Sequence, residues 1–543
     1  MSTEPVTPDS LFQSLVDLPS TKRGRRHAMR ATASARSIDM AANFLNSVGV
    51  VELIEEWMVA DNPNRARKLG RPEVVSPRTF LTAFMACAFS DIPISMTTVH
   101  HVLTSDLTRA SRRSLGLPVA GDKAQDELLE ERRRMLGYHC VTRTATKVAL
   151  TFDPRPFPSR RGLTISEIAV IESQRDPATV ETKQTRADHL QSRLLLGTFA
   201  MIPQHLRDRW TGDITLDATV LALQGKRGHH DRTRANPEGR SPEANAGLHS
   251  KSQDDRDALA QGRKAGKKQN HTFGYDAHLA LMTAAPGEPS FPRLVIGMSI
   301  DRPGVGPGQN AVTALRGIRE AGLPAGIVTT DLGYSTKSAA NYALPVRAMG
   351  YELMHMFKEN ELGISGSKKD APVDTKGLIC VEGTIYGPCL PRPLINASKD
   401  YAKGRIDEDT YYARIEARRP YEARLKRNRE GELSAVFRCP GCGDGRSVQC
   451  DLKEASPAQE RREVAAGRVM LPLVLSQPKD LPAICTNAQS VSVPRDWAAR
   501  YVTAMPYKSP EWREYYAQSR NEMEAKNNYL KDRIGGGLRD PGE

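Results

Sequence analysis

The chain has 543 residues, too many for one ordinary hydrophobic core, so two to four folded units are expected. Its 77 Lys and Arg outnumber 64 Asp and Glu, and the net charge of +13 points to a polyanionic partner such as nucleic acid. With 8 cysteines, no signal-like opening and no apolar run of about 18 residues, the sequence argues against a secreted disulfide scaffold or a membrane span, and a cytoplasmic protein is the expectation.

Residues 1–40 carry Lys22, Arg23, Arg25, Arg26, Arg30 and Arg36, with no acid between Thr21 and Arg36. This reads as a basic flexible arm, either solvated or touching phosphates. Residues 41–211 read as a helical domain. Met40 to Trp57 is apolar at helical spacing. Ser76-Pro77 places an N-cap before a proline at the first helical position, ahead of the face Phe80, Leu81, Phe84, Met85 and Ala88. Ser95 caps a second helix with Met96, Val99, Val102 and Leu103, and a third runs from Asp106 to Leu115, stopped by Gly116 and Pro118. With Arg109, Arg112 and Arg113, these short helices suit either a helix-turn-helix-like unit or a small bundle with an exposed basic face. An apolar helix bearing Leu190, Leu194, Leu195, Leu196, Phe199 and Met201 closes the region.

Residues 212–357 alternate between strand and helix. Ile214 to Val220 is a short, largely buried strand with Asp217 in its middle. A carboxylate there is either bonded to nearby backbone amides or meets a cation. From Gln224 to His271 eleven Lys and Arg face six Asp and Glu with almost no large apolar residue. That stretch is a basic loop suited to a phosphate backbone, or a plain insertion. Strands resume at Thr272–Met282 and Arg293–Ile300, a helix follows over Ala311–Ala321, and the strand Ile327–Thr330 delivers Asp331 at its carboxyl end. A helix over Ser335–Met349 and a strand over Tyr351–Phe357 complete an α/β unit whose first three strands form an antiparallel meander. After a right-handed crossover the fourth strand can lie beside the first, so Asp217 and Asp331 would share one crevice. Paired carboxylates of this kind suit divalent-metal phosphoryl chemistry.

The third carboxylate lies in the last helix, over Ser519–Lys531. Arg520, Glu524 and Lys531, spaced i, i+4 and i+11, share one helix face, either as a solvated charge ladder or as part of a site. The Leu216-Asp217-Ala218-Thr219 strand, the segment from Thr330 to Ser335 and this helix together resemble the catalytic core of bacterial insertion-sequence transposases. These are ribonuclease H-like enzymes with an Asp-Asp-Glu triad, here of the subgroup with a Tyr-Arg-Glu-Lys signature. Arg520, Glu524 and Lys531 match that signature's spacings, whereas Tyr516 stands one residue further from Arg520 than in the family. The strand from Phe273 to His278 also resembles the family's second strand, and the likeness runs from about residue 70 to the C-terminus. It implies a mixed sheet core with an N-terminal helical domain and an insertion before the catalytic helix. It further implies that Asp217 bridges two Mg²⁺ (or Mn²⁺) ions, that Asp331 and Glu524 each complete one metal site, and that Arg520, Lys531 and Tyr516 contact DNA. Double-stranded DNA, as transposon ends and target, would be bound by a homodimer associated with the nucleoid. Many members continue with more helix where this chain ends at Glu543, so a degenerate copy is an alternative.

The insertion over 358–503 interrupts the α/β pattern, and 504–543 hold the catalytic helix and a tail with Gly535, Gly536 and Gly537. Tyr411, Ile415 and Tyr421 mark a weakly apolar helix in the charged stretch from Tyr401 to Arg429. Cys380, Cys389, Cys439, Cys442, Cys450 and Cys485 lie nearby. Cys439-Pro440-Gly441-Cys442 has the form of a zinc knuckle, with Cys450 and Cys485 as possible further ligands. A second close pair is missing, so buried thiols are the expectation. The sequence therefore reads as a DNA-cutting and DNA-joining enzyme, with a simple metal-dependent nuclease of the same fold and a non-catalytic DNA-binding descendant as rivals.

Overall fold

The computed structural model describes residues 33–62, 75–90, 92, 94–115, 137–158, 162–223, 243–249, 272–365, 375–428, 434–442, 445–450, 464–467, 481–486, 490–494 and 496–532. The basic arm at 22–30, most of the 224–271 loop and the tail from Gly535 lie outside them.

The N-terminal part is helical, and its caps do much to set the boundaries. Ser34, Ser76, Ser95 and Thr108 each accept the backbone N–H three residues on, starting helices Ala35–Val48, Pro77–Phe89, Met96–His101 and Arg109–Ser114. Gly49, at φ 65°, ends the first helix in a left-handed turn and lets Val50–Asp61 depart from it. The helix expected from Asp106 begins three residues later, because Val102–Asp106 extends the preceding helix as a π turn and Thr108 caps the next. Ile38, Phe44, Leu45, Ile54, Ala83, Val99, Leu103 and Val141 bury into one apolar cluster. The long helix Pro177–Ala200 adds Leu190 to that cluster and gives Phe199 to the next one, so it belongs to both cores.

The second core is built on a mixed sheet: β1 Ile214–Ala222, β2 Gly247–His249, β3 Thr272–Met282, β4 Val295–Asp301, β5 Ile327–Thr330 and β6 Glu352–His355. β1 pairs antiparallel with β3, and β2 and β4 both pair with the far side of β3. On its other side β1 runs parallel to β5, and β5 runs parallel to β6. The expected meander is present, with the short β2 added from within the basic loop. Alternation along the strands divides the two faces. Ile214, Leu216, Ala280, Met282 and Val328 pack under helix Pro307–Glu320, through its Ala311, Leu315 and Ile318. Gly297 permits that approach, since a Cβ there would lie 2.2 Å from the carbonyl oxygen of Ala314. The opposite face carries Ala277, Leu279 and Leu281, which are covered by Met523 of the terminal helix Pro510–Lys531. The first half of that helix is anchored by Trp512 and Tyr515 against Met354, Phe357 and Tyr507.

The expected helix over Ser335–Met349 is broken into Leu332–Ser335, a turn at Ala339–Asn341 and Ala343–Ala348. The Asp331 side chain caps the first piece and Ser338 the second, while Tyr342 takes non-helical backbone angles and buries beside Tyr334. Within the insertion, a hairpin of β7 Ile379–Val381 and β8 Thr384–Tyr386 precedes helix Glu408–Glu416, which buries Tyr411 and Ile415. A separate antiparallel sheet has the order β11-β10-β9, formed by β9 Arg424–Asn428, β10 Ser434–Arg438 and β11 Ser490–Pro494. The fully buried Glu382 is paired with Arg418 at 2.7 Å and also accepts from Ser398 and the Gly363 amide, which satisfies an otherwise unfavourable charge.

Two measurements test this packing. Met523 is fully buried, so Met523→Ala is expected to lower the unfolding free energy by about 2–5 kcal/mol in denaturant titration. His355 is 2% exposed against Phe357, and burial, with Arg347 and Arg500, lowers its pKa to about 3. Its folded pKa lies below the unfolded one, so its stabilising contribution is complete above about pH 6.5 and is lost as pH falls towards 3. Stability should decline by about 1.4 kcal/mol per pH unit below 6.5 for such a neutral imidazole. His355→Leu should make the decline shallower, and an unchanged slope in thermal melts would contradict this account.

Candidate functional site

Parallel pairing of Leu216 with Thr330 brings the following residues, Asp217 and Asp331, together on the sheet. Leu216 points into the core under helix Pro307–Glu320, so Asp217 points to the opposite face, towards the terminal helix. Its side chain is only 14% exposed. Oδ1 accepts the Ala218 N–H at 3.0 Å, and Oδ2 accepts the Asn527 side-chain amide at 3.0 Å. Arg520 Nη2 stands 3.6 Å from the same Oδ2. Burial raises the pKa of Asp217, the Asp331 charge adds to the rise, and Arg520 and Lys531 oppose it. Asp331 sits where β5 gives way to helix Leu332–Ser335, and its Oδ1 accepts the Gly333 N–H at 2.8 Å.

The terminal helix crosses both carboxylates. Glu524 is 63% exposed, with Oε1 3.8 Å from Arg520 Nη2, so one guanidinium bridges Asp217 and Glu524. Nη1 of Arg520 is buried without a hydrogen-bond partner. Burial works against the Arg520 charge, but Asp217, Tyr516, Asp331 and Glu524 outweigh it and raise its pKa. The Tyr516 hydroxyl donates to the Thr330 carbonyl at 3.2 Å and its ring stacks on Trp512, so it fastens the helix to the end of β5. Burial pushes its pKa up to about 12. Asp217, Asp331, Arg520, Glu524 and Lys531 are thus gathered, with Tyr516 at their edge. Among the described residues, no three His, Cys, Asp or Glu side chains are assembled as a metal-holding group. Asp217 and Asp331 form a pair, and the Arg520 guanidinium separates Asp217 from Glu524.

Sequence reasoning missed Asn527, although its signal was available. Residues 520, 524, 527 and 531 all fall within one narrow helical stripe at 3.6 residues per turn. It also missed His278, which is opposite Ala218 in the register and shares a 2.8 Å hydrogen bond with the buried hydroxyl of Tyr334. Burial lowers the His278 pKa and keeps the ring neutral near pH 7.

None of the eight cysteines is in a disulfide. Cys439, Cys442 and Cys485 share an apolar cluster, while Cys450 and burial raise the pKa of the Cys389 thiol. Among the described residues no helix is long and apolar enough to cross a membrane. Comparisons of the chain with protein families, with curated proteins and with solved structures find no match.

Asn527 donates one hydrogen bond to the buried Asp217 carboxylate, and the Ala218 N–H donates another. Asn527→Ala is therefore expected to destabilise the protein by about 1–3 kcal/mol, measured by urea unfolding at neutral pH.

Proposed function

We propose that this chain is a transposase of the Asp-Asp-Glu type, which cleaves DNA at the ends of its element and joins them to target DNA. The observation that carries the reading is the pairing of Asp217 with Asp331 on adjacent parallel strands, beneath a helix that presents Arg520, Glu524 and Lys531. The sheet supports a ribonuclease H-like core. Three antiparallel strands are followed by two parallel ones, the fourth principal strand lies against the first, and the terminal helix covers one face.

The carboxylates of Asp217, Asp331 and Glu524 are hard oxygen donors that fit Mg²⁺ or Mn²⁺. Two such ions, when bound, would activate the attacking water or 3′-hydroxyl and offset charge on the phosphate. Arg520 carries a buried Nη1 with no partner beside these carboxylates, a donor suited to a phosphate oxygen. Exchanging its carboxylate contacts for phosphate would leave Asp217 and Glu524 to the cations. Lys531 adds positive charge on the same stripe, and Tyr516 keeps the helix seated on β5. The basic arm, the helical domain and the 224–271 loop would supply phosphate contacts, the helical domain would read the ends, and a homodimer would pair them.

A second reading has its own observation. Arg520 already neutralises Asp217 and Glu524, as expected of a non-catalytic DNA-binding descendant that keeps the carboxylates as a structural ion pair. Incubation with Mn²⁺ and DNA bearing the element's own ends separates the possibilities. Products longer than the pre-cleaved substrate support the transposase, shorter products alone indicate a nuclease, and intact DNA favours the binding protein. Asp331→Asn should abolish cleavage while leaving the DNA mobility shift intact. Unchanged cleavage by that variant would remove the triad assignment.

A further inference from the structure

The insertion gathers cysteines that are distant in sequence. β10 ends at Arg438 and runs directly into Cys439-Pro440-Gly441-Cys442, where the Cys442 N–H donates to the Cys439 carbonyl at 3.2 Å. This is the tight turn of a metal knuckle, in which two thiols leave one bend in similar directions. Gly441 is needed there, because a Cβ would lie 2.7 Å from Cβ of Cys450, with the Cys450 sulfur at 3.8 Å. Cys450 is therefore packed directly onto the knuckle.

A second turn meets it from the hairpin side. Leu390 N–H donates to the Gly387 carbonyl at 3.3 Å, which folds the chain around Cys389. A Cβ on Gly387 would touch the Pro440 ring at 3.0 Å and the Cys389 sulfur at 3.5 Å, so this turn lies against the knuckle's own proline. Cys450 and Cys439 both lie close enough to Cys389 to act, with burial, on its thiol and raise its pKa. Sulfurs around one tetrahedral Zn²⁺, at about 2.3 Å from the ion, stand roughly 3.8 Å apart. The turn at Gly387–Leu390 and the contact of Gly441 with Cys450 bring the four cysteines into one neighbourhood. Among the described residues no three such side chains stand close enough to hold an ion as they are, so binding would draw these thiols together.

We propose that Cys389, Cys439, Cys442 and Cys450 hold one structural Zn²⁺ that ties the β7–β8 hairpin segment to the three-stranded sheet. Cys485, which the sequence spacing offered as a further ligand, shares the apolar cluster of Cys439 and Cys442, and the proposal assigns it to that core, beside Ile484 and Val491, and not to the ion. Binding releases the four thiol protons and involves no redox step. The Arg438 guanidinium donates to the Cys442 carbonyl at 2.9 Å and places a positive charge beside the resulting anionic centre.

Metal analysis of the full chain, purified without chelators and supplied with Zn²⁺, is expected to find one zinc per chain. Cys389→Ser and Cys450→Ser should lose it, and Cys485→Ser should retain it. Loss of zinc in Cys485→Ser with retention in Cys389→Ser would overturn the ligand set. Because a ligand variant can fail to fold, the unmutated chain is also loaded with Co²⁺. The visible spectrum of a tetrahedral four-sulfur site is expected, and absence of thiolate-to-cobalt absorption would overturn the site itself.

Discussion

The candidate site depends on one stretch of backbone register. β1 and β5 run parallel with Leu216 opposite Thr330, so two carboxylates emerge together into a partly buried space. Burial raises the pKa of Asp217, and the neighbouring Asp331 charge adds to the rise. Such a pair persists only with compensation. Arg520 and Asn527, brought in by the terminal helix, supply it from the opposite side.

That compensation explains why the helix is fastened so firmly elsewhere. Trp512, Tyr515 and Tyr516 fix its first half, and Met523 seals the sheet face in its second half. Between those apolar anchors the polar stripe has little freedom to slide, because a slip of one residue would rotate Arg520 by about 100° away from Asp217. The hydrophobic contacts thus position the electrostatic ones.

Much of this was legible in the sequence, for physical reasons that differ from element to element. Ser76 and Ser95 announced two of the N-terminal helices as caps, and alternation announced the strand Thr272–Met282. The i, i+4 and i+11 spacing of Arg520, Glu524 and Lys531 placed all three on one face. The short β2 was hidden because Gly247-Leu248-His249 is too brief to show a period. The broken helix after Asp331 was hidden because its apolar spacing continues across Tyr342, whose burial beside Tyr334 matters more than helical propensity. Asn527 was overlooked because an amide carries no charge signal. The approach of the Gly387–Cys389 turn to Pro440 was hidden by distance, since Cys389 and Cys439 are fifty positions apart and only folding brings their segments together.

The hydrogen bond between Asn527 and Asp217 joins residues 310 positions apart, which has a bearing on how the molecule comes into being. The sheet and the helix beneath it can form from residues up to about 355 as the chain leaves the ribosome. Ala277, Leu279 and Leu281 are covered by Met523, more than 240 positions later in the chain. Without the terminal helix the sheet would present an apolar strip and an unaccompanied pair of acids. Only with that helix in place is the pair accompanied and that face of the sheet covered.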